Sequence, residues 1–451
     1  MFARFRGLRL VAMSSSGPLH PDSGASGVGT VVVLAAGMGK RMLSQRPKVL
    51  HEACGRPMLA WVLDAARELR PKRIVVVVGH GADLVRAAVD KHCGGAADIA
   101  FVVQEPQLGT GHALQVCLPV LGADPGPTVV LYGDMPCLKG STVARLAAAR
   151  RPGGMSLLTA VPDEPRGFGR IVRDADGRVE RIVEEKDADA AIRAIDEVNM
   201  GVYAFDGRVL VDELPKLSNQ NAQKEYYLTD ILSAFARRGL PVDGVELDDL
   251  EESLGVNTLQ HLAEARWALQ ARILEGHMAR GVQIEDPATA VVEHGVEIGV
   301  GTKLLPFVVL RAGVKIGAHC EVGPFAHLRA GTVLRDGAEI GNFCEAKNTD
   351  LGEHAKAKHL AYLGDATIGA RANIGAGTIF ANYDGKQKHK SVVGAGAFIG
   401  SGTVVVAPNS IPEGATTGAG AVVAKNAAMR PGETWVGLPA RKHEKQRKEG
   451  G

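Results

Sequence analysis

The sequence predicts a doubly wound α/β domain, then a linker helix, then a left-handed parallel β-helix, and three patterns predict it. In the first half, short valine-rich apolar runs alternate with segments of helical spacing. One central segment keeps its apolar residues at a helical period over some twenty positions. In the last third, every sixth residue from Ile298 is a branched aliphatic: Ile298, Leu304, Leu310, Ile316, Val322, Leu328, Leu334 and Ile340.

Bulk properties bound what the chain can be. At 451 residues, two or three domains are expected. Lys and Arg number 52 against 50 Asp and Glu, a formal charge of +2, so there is no general electrostatic reason to bind nucleic acid or a membrane surface. No stretch approaches the roughly twenty apolar residues of a membrane span. The six cysteines form no Cys-x-x-Cys pair, which points to free thiols in a reducing, cytoplasmic setting. Residues 1–27 carry Arg4, Arg6 and Arg9 with no acidic residue before Asp22. They superficially resemble a transit peptide, but the expectation is a disordered extension over 1–28, or a start at Met13.

Residues 30–36 read as a buried strand running into Gly37-Met38-Gly39-Lys40, a glycine-rich turn that can turn backbone N–H groups toward an anion or bind nothing. Further strands are expected at 73–78, 99–104 and 128–132, with helical patterns at 58–69 and 112–120 between them. Ligands in such Rossmann-like sheets sit beyond the carboxyl ends of the strands. Asp134 lies at one such end, where it reads either as a turn former or as a metal ligand.

Residues 258–279 form the linker helix, with Asn257 opening it and Gly281 closing it. It is expected as a lone arm between the two halves, with Trp267 used for packing. Asn257 and Gln260 together also read as a capping pair, and Lys48 as a surface lysine.

The six-residue row fits a chain that turns a corner every six residues and points one aliphatic inward per short strand. Three faces then close a coil of about eighteen residues. If roughly a quarter of residues are Ile, Leu or Val, eight hits in one register arise by chance on the order of once in ten thousand or more rarely, which sets chance aside. Gly299, Gly317, Gly323 and Gly341 follow the aliphatics at corners, where a Cβ is an obstruction. The row resumes at Leu351, Ala357, Leu363, Ile368 and Ile374, and again at Val393, Ile399, Val405 and Ile411. Between Ile340 and Val393 it falters, and polar residues crowd in. Residues 381–391 are too polar for a coil face and read as an excursion loop.

This hexad pattern resembles the hexapeptide-repeat transferases. Residues 34–50, from Leu34 to the Leu50 that follows Lys48, resemble the signature of sugar-1-phosphate nucleotidylyltransferases. Gln104, Gln107 to Ala113, Gly169-Arg170-Ile171, Val183 to Lys186, Asn199-Met200-Gly201, Glu225 to Asp230 and Gly255-Val256-Asn257 narrow the match. In this order, and followed by a β-helix, they resemble the bacterial bifunctional N-acetylglucosamine-1-phosphate uridylyltransferases and glucosamine-1-phosphate N-acetyltransferases. The resemblance covers about residues 29–440. It implies a uridylyltransferase domain at 29–256, a linker helix at 257–281, an acetyltransferase β-helix at 282–441 and a basic tail at 442–451. Partners would be small molecules and two further copies in a homotrimer held through the β-helix.

For uridylyl transfer the resemblance implies that UTP meets Leu34, Ala35, Gly37, Lys48, Gln104, Gln107, Gly109, Thr110, Tyr132 and Asp134. N-acetylglucosamine phosphate would meet Gly169, Glu184, Asn199, Thr229 and Asn257. Lys48 and Arg41 would neutralise phosphate charge, and Asp134 with Asn257 would hold Mg2+. The chemistry asks for this, because an ionised phosphate must attack a phosphorus inside another polyanion, so cations and positioning do most of the work.

For acetyl transfer, His359 would be the base, since an amine must lose a proton as it attacks a thioester. The acceptor would meet Arg329, Lys347, Tyr362, Asn373 and Lys388. Acetyl-CoA would lie along Ala376, Asn382, Tyr383, Ser401, Ala419 and Lys425, with the Ala376 N–H facing the oxyanion. One departure stands out. The family often has an arginine for CoA near the carboxyl terminus, and this chain has Gly437 there, with Arg441 or Lys442 as substitutes. Two rivals are a single-function nucleotidylyltransferase with a regulatory or oligomerising β-helix, and a non-enzymatic scaffold. The set His359, Tyr362, Asn373 and Asn382 argues against the first, and the joint presence of Lys48, Asp134 and His359 against the second.

Overall fold

A computed structural model describes residues 27–443 apart from Met38. The expected extension, apart from its last two residues, and the tail beyond His443 lie outside the described residues.

In the first half, strands β1 (Thr30–Leu34), β2 (Arg73–Val78), β3 (Ile99–Val103), β4 (Thr128–Tyr132), β5 (Met155–Ala160), β6 (Val198–Phe205) and β7 (Val242–Glu246) form one sheet in the order β7-β5-β6-β4-β1-β2-β3. β1 pairs in parallel with both β2 and β4, whereas β6 runs antiparallel to β4 and β5. A hairpin, Arg170–Arg173 with Val179–Val183, branches from β6. Val31 and Val33 enter one core layer and Val32 and Leu34 the other. A strand covered on both faces must be apolar throughout, which is why β1 lacks the alternation of a half-exposed strand. Chain order reverses between β1 and β4, and that switch point opens the crevice in which such sheets bind ligands. The expected strand at 30–36 ends two residues early, at Leu34. The expected helix at 112–120 divides into Thr110–Gln115 and Leu118–Leu121.

The linker helix spans Leu259–Ala279, and its cap differs from the expectation. Thr258, not Asn257, caps it, accepting from the His261 N–H. Nor is the helix a lone arm. Leu262, Ala265, Ala268 and Leu269 pack with Met42, Ala53, Met58, Cys137 and Val256 of the first half, and Leu274 enters the core of the second. Trp267, expected to pack, is 67% exposed because it sits opposite that buried strip.

Among the described residues, the second half folds into three sheets of ten, eight and seven short strands, the three-sided coil stack of a left-handed parallel β-helix. Face 1 begins at Gln283–Ile284, face 2 at Val291–Val292 and face 3 at Glu297–Ile298. Ile298 pairs with Ile316, Leu304 with Val322 and Leu310 with Leu328, so each coil takes eighteen residues. Each of these partners but Ile298, which is partly exposed, lies inside one continuous core. Gly299 and Gly317 are required by the neighbouring coil rather than by a left-handed backbone: an added Cβ would lie 2.5 Å from Ala318 N and 2.2 Å from Asp336 Oδ1.

The faltering register has a definite place. The corner between faces 2 and 3 is one residue short in two successive coils. Leu334 therefore pairs with Leu351, and Leu351 with Ile368, seventeen residues on. In the next coil the same corner carries the excursion between Ile379–Ala381 and Ser391–Val393.

Candidate active sites

At the switch point, Gly133 N–H donates to Leu34 O (2.9 Å), and Val256 N–H donates to Asp134 O (2.9 Å). These bonds bring the ends of β1 and β4 to the segment before the linker helix, so that residues far apart in sequence converge. Lys48 Nζ donates to Asp134 Oδ2 and to Asn257 Oδ1 (2.9 Å), and Arg41 Nη2 donates to the same Asn257 oxygen (2.9 Å). Lys48 and Asp134 side chains are only 13% and 16% exposed, so Lys48 is no surface lysine; the Asn257 oxygen is taken by Lys48 and Arg41, so Asn257 is no helix cap. Gly39, at φ +60°, lets the glycine-rich turn lie on Lys48, since an added Cβ would stand 2.7 Å from Lys48 Cβ.

The donor set fits a hard divalent cation. A carboxylate oxygen and a carboxamide oxygen already converge on one cationic point, the Lys48 ammonium. An ion held by one or two protein oxygens completes its shell with water and substrate phosphates. Among the described residues no cluster of three or more His, Cys, Asp or Glu forms a closed metal cage.

The loop after β3 is built around the other predicted residues. Gln104, nearly buried, donates to Gly109 O (2.9 Å), Gln107 Nε2 donates to Ala36 O, and Thr110 Oγ1 accepts from Leu228 N–H (3.1 Å). Gln104 also lies 3.2 Å from His112 Nδ1, a contact the sequence did not suggest. Thr229 Oγ1 donates to Glu184 Oε1 (3.2 Å), and Asn199 Nδ2 to the Tyr203 hydroxyl (2.7 Å). Burial raises the Glu184 carboxyl above its ordinary value, the Thr229 hydroxyl opposes this, and Asp187 and Asp230 add to it. Tyr132 joins the two groups. Burial pushes its phenol upward, Glu184 and Asp134 push the same way, and the Thr110 side chain opposes them. Gly169 stands over Glu184, where an added Cβ would meet Ile182 Cγ2 at 2.8 Å. Gly201 (φ +78°) was missed as a site residue, although its missing Cβ makes room for the Tyr132 ring, 3.0 Å from where that atom would lie.

In the β-helix most of the predicted residues fall on two corners. His359 follows Asn342 by one coil. His359 O, Ala376 O and Ser401 O accept from the N–H groups of Gly377, Gly402 and Gly420, so His359, Ala376, Ser401 and Ala419 form one column along the corner between faces 1 and 2. The register of Thr416 with Thr434 carries the column on to Gly437. Gly375 and Gly377 spend their N–H groups on the ladder, on Ile399 O and His359 O, and among the described residues the Ala376 N–H between them takes no part in it.

Arg329, Lys347, Lys388, Asn382 and Tyr383 lie instead at or near the corner between faces 2 and 3. Lys425 belongs to a later coil of that corner, through Asn426 N–H to Pro408 O. Tyr362 lies on face 2 between the corners, and Asn373 on face 1. Lys347 is held below the ordinary lysine range by Lys388 and then by Arg329, with Asp365 opposing, so three cations share one patch. Arg329 is also tied to Glu345 Oε1 at 2.9 Å. Of the two substitutes for the missing arginine, Lys442 is paired with Glu433 (3.2 Å), whereas among the described residues Arg441 reaches a backbone carbonyl, that of Ala440, at 3.4 Å.

All six cysteines are free thiols, and no helix among the described residues is long and apolar enough to cross a membrane. Residues 31–228 match the MobA-like NTP transferase domain family. Relatives called bifunctional protein GlmU are 45% identical in Paraburkholderia phymatum (88% of this chain, 94% of the relative), 45% in Pseudomonas fluorescens (92% and 96%) and 47% in Cupriavidus metallidurans (88% and 94%).

Proposed function

The chain belongs to the family of bifunctional GlmU proteins, and we propose how its two sites divide the work. It is a bifunctional transferase that makes UDP-N-acetylglucosamine: acetyl-CoA acetylates glucosamine-1-phosphate, and the product takes a uridylyl group from UTP with release of pyrophosphate. The observation that carries the assignment of the first site is the convergence of Lys48, Arg41, Asp134 and Asn257 at the switch point.

There, an oxygen of N-acetylglucosamine-1-phosphate attacks the α-phosphorus of UTP and pyrophosphate leaves on the opposite side. Lys48 neutralises the sugar phosphate and α-phosphate, and Arg41 supports the departing pyrophosphate. The family needs a divalent cation, which we assign as Mg2+; Asp134 and Asn257 would hold it, and it would supply neutralisation of phosphate charge. No base is required, because the attacking phosphate is already ionised. Gln104 and Gln107, with Gly109 and Thr110, frame the uracil. Gln107 spends one amide N–H on Ala36 O and keeps its carbonyl and second N–H for the pyrimidine edge, whereas Gln104, whose Nε2 faces both Gly109 O and His112 Nδ1, offers its carbonyl. Glu184, Asn199, Thr229 and Gly169 face the sugar hydroxyls and acetamide.

At the second site the glucosamine nitrogen attacks the thioester carbonyl. His359 takes the proton, the Ala376 N–H meets the oxyanion, and the CoA thiolate leaves. The acetyl-CoA chain follows the column of Ala376, Ser401 and Ala419. The acceptor phosphate sits on Arg329, Lys347 and Lys388. Because the column and the cations occupy different corners, one chain's His359 works with the cation corner of a neighbour in a homotrimer. UTP and acetyl-CoA as substrates, and free thiols, suit the cytoplasm.

The purified chain tests this directly. It should release free thiol from acetyl-CoA only when glucosamine-1-phosphate is present, and pyrophosphate from UTP only when N-acetylglucosamine-1-phosphate is present. A chelator should abolish pyrophosphate release and spare thiol release, and added Mg2+ should restore the former. Absence of either half-reaction from folded protein would overturn the assignment.

A further inference from the structure

The corner carrying Arg329, Lys347 and Lys388 holds one more ionised group, and its geometry is unlike that of an ordinary counter-ion. Asp365 follows the face 2 strand Tyr362–Gly364 in the left-handed region (φ +51°), at the corner shortened by one residue. Its Oδ1 accepts from Asn348 Nδ2 at 2.6 Å and its Oδ2 from Asn382 Nδ2 at 2.5 Å. Its N–H donates to Lys347 O (3.0 Å), and its carbonyl accepts from Ser391 N–H (3.1 Å). Asn382 and Ser391 are the two ends of the excursion loop, and both are buried. One residue therefore grips both roots of the loop and the backbone that carries Lys347.

The loop delivers Lys388. It folds on itself through a bridge between Tyr383 and Lys388, and Asp384 secures it by accepting from Gln387 N–H (2.7 Å) and pairing with His389 Nε2 (2.7 Å). Lys388 thereby joins Lys347 at the cation corner and is the largest cause holding the Lys347 ammonium below the ordinary lysine range. Gathering ammonium groups at one corner is unfavourable unless a negative charge is near. Glu345 serves Arg329, and Asp365 is the carboxylate felt by both lysines. Each Asp365 oxygen accepts an amide hydrogen, and among the described residues neither forms an ion pair with a lysine, so the carboxylate offsets lysine charge without capturing either lysine. Gly364 keeps this arrangement open, because an added Cβ would stand 2.7 Å from both Asn382 Nδ2 and the Tyr362 hydroxyl.

We propose that Asp365 is a positioning residue for the acetyl acceptor: it clamps the excursion loop so that Lys388 stands beside Lys347, and leaves both ammonium groups free for the sugar phosphate. It touches no substrate itself. This rests on the assignment of Arg329, Lys347 and Lys388 to that phosphate, and the test separates the two. In the full-length protein, Asp365→Asn keeps the shape but sets an amide against the amide of Asn348 or Asn382 and removes the charge. KM for glucosamine-1-phosphate should rise about tenfold, the loss of one hydrogen bond to a charged group. KM for acetyl-CoA, kcat for acetyl transfer and uridylyl transfer should stay within about twofold. Asn348→Gly, which suits the left-handed backbone at φ +49°, frees Asp365 to capture a lysine and should raise the same KM.

Lys347→Ala is the reference. If it leaves the acceptor KM unchanged, the phosphate assignment fails and the proposal fails with it. If it raises that KM while Asp365→Asn and Asn348→Gly do not, the phosphate assignment stands and the clamp alone is overturned. A fall in kcat with no change in acceptor KM also overturns the clamp. Should Asp365→Asn lose uridylyl transfer as well, and so prove misfolded, Asn348→Gly decides by itself.

Discussion

At Gly109 the backbone decides what the residue can be. Its φ of +107° and ψ of 175° fall in a region open essentially to glycine alone, and an added Cβ would lie 2.6 Å from Tyr226 O. That carbonyl accepts from Gly111 N–H, and Tyr226 N–H donates to Leu108 O, so the strain cannot relax without opening the loop. Gly109→Ala should therefore cost about 1–3 kcal/mol locally. It should appear as a rise of about tenfold or more in the KM for UTP, with acetyl transfer unchanged, in steady-state assays of the two half-reactions. Such residues also mark the limit of reading a sequence. Gly109 stood inside a recognisable motif and was legible. Gly201 lies inside the motif Asn199-Met200-Gly201 and Asp365 six residues beyond His359, but neither is legible as a site residue, since their roles depend on where the Tyr132 ring and the Asn382 amide come to rest.

Among the elements, the linker helix shows the same limit. Its period was legible, but the face it buries was not, because apolar residues occupy more positions than one strip can hold. Leu262, Ala265 and Leu269 are buried, while Leu259 and Trp267 are exposed. The junction it completes was not legible at all. Gln270 Nε2 donates to Val292 O (3.0 Å), and its Oε1 accepts from Val292 N–H (3.3 Å). His294 N–H donates to Cys54 O (2.9 Å), and Arg56 lies 3.0 Å from His294 Nε2. The guanidinium can only donate, so His294 must accept at Nε2 and be neutral. Burial holds its pKa below the ordinary value of 6.5, Arg56 pushes the same way, and Asp64 opposes. With the folded value below the unfolded one, the unfolded chain takes up the proton first as pH falls. The junction's contribution is thus complete above about 6.5 and is lost as pH drops toward the folded value. Unmodified protein should lose more thermal stability between pH 7.5 and 5.5 than His294→Gln does. Burial also lowers His51 and His277, whose effect is common to both proteins and cancels in the comparison.

For the whole molecule, the repeat and the motifs made the order of parts legible, and the geometry adds how separately they act. The first site is fixed by β1, β4 and the segment before the linker helix. The second is fixed by coils from Arg329 onward, and the junction meets the β-helix around Val292 and His294. No catalytic group of one half is required to position the other. Lys48→Ala should accordingly lower kcat for pyrophosphate release by about 10²–10³, the scale for losing one preorganised charge contact, and leave thiol release intact. His359→Ala should lower thiol release by about 10²–10⁴, the range for a general base, and leave pyrophosphate release intact. Each variant alone should then fail to convert glucosamine-1-phosphate to the nucleotide sugar. Mixed, they should recover the conversion, with a lag set by the concentration of the acetylated intermediate, since that intermediate can leave one protein and enter the other. Nucleotide-sugar formation in the mixture no faster than in either variant, with both proteins folded, would mean that the intermediate is not released and that the two sites do not act independently.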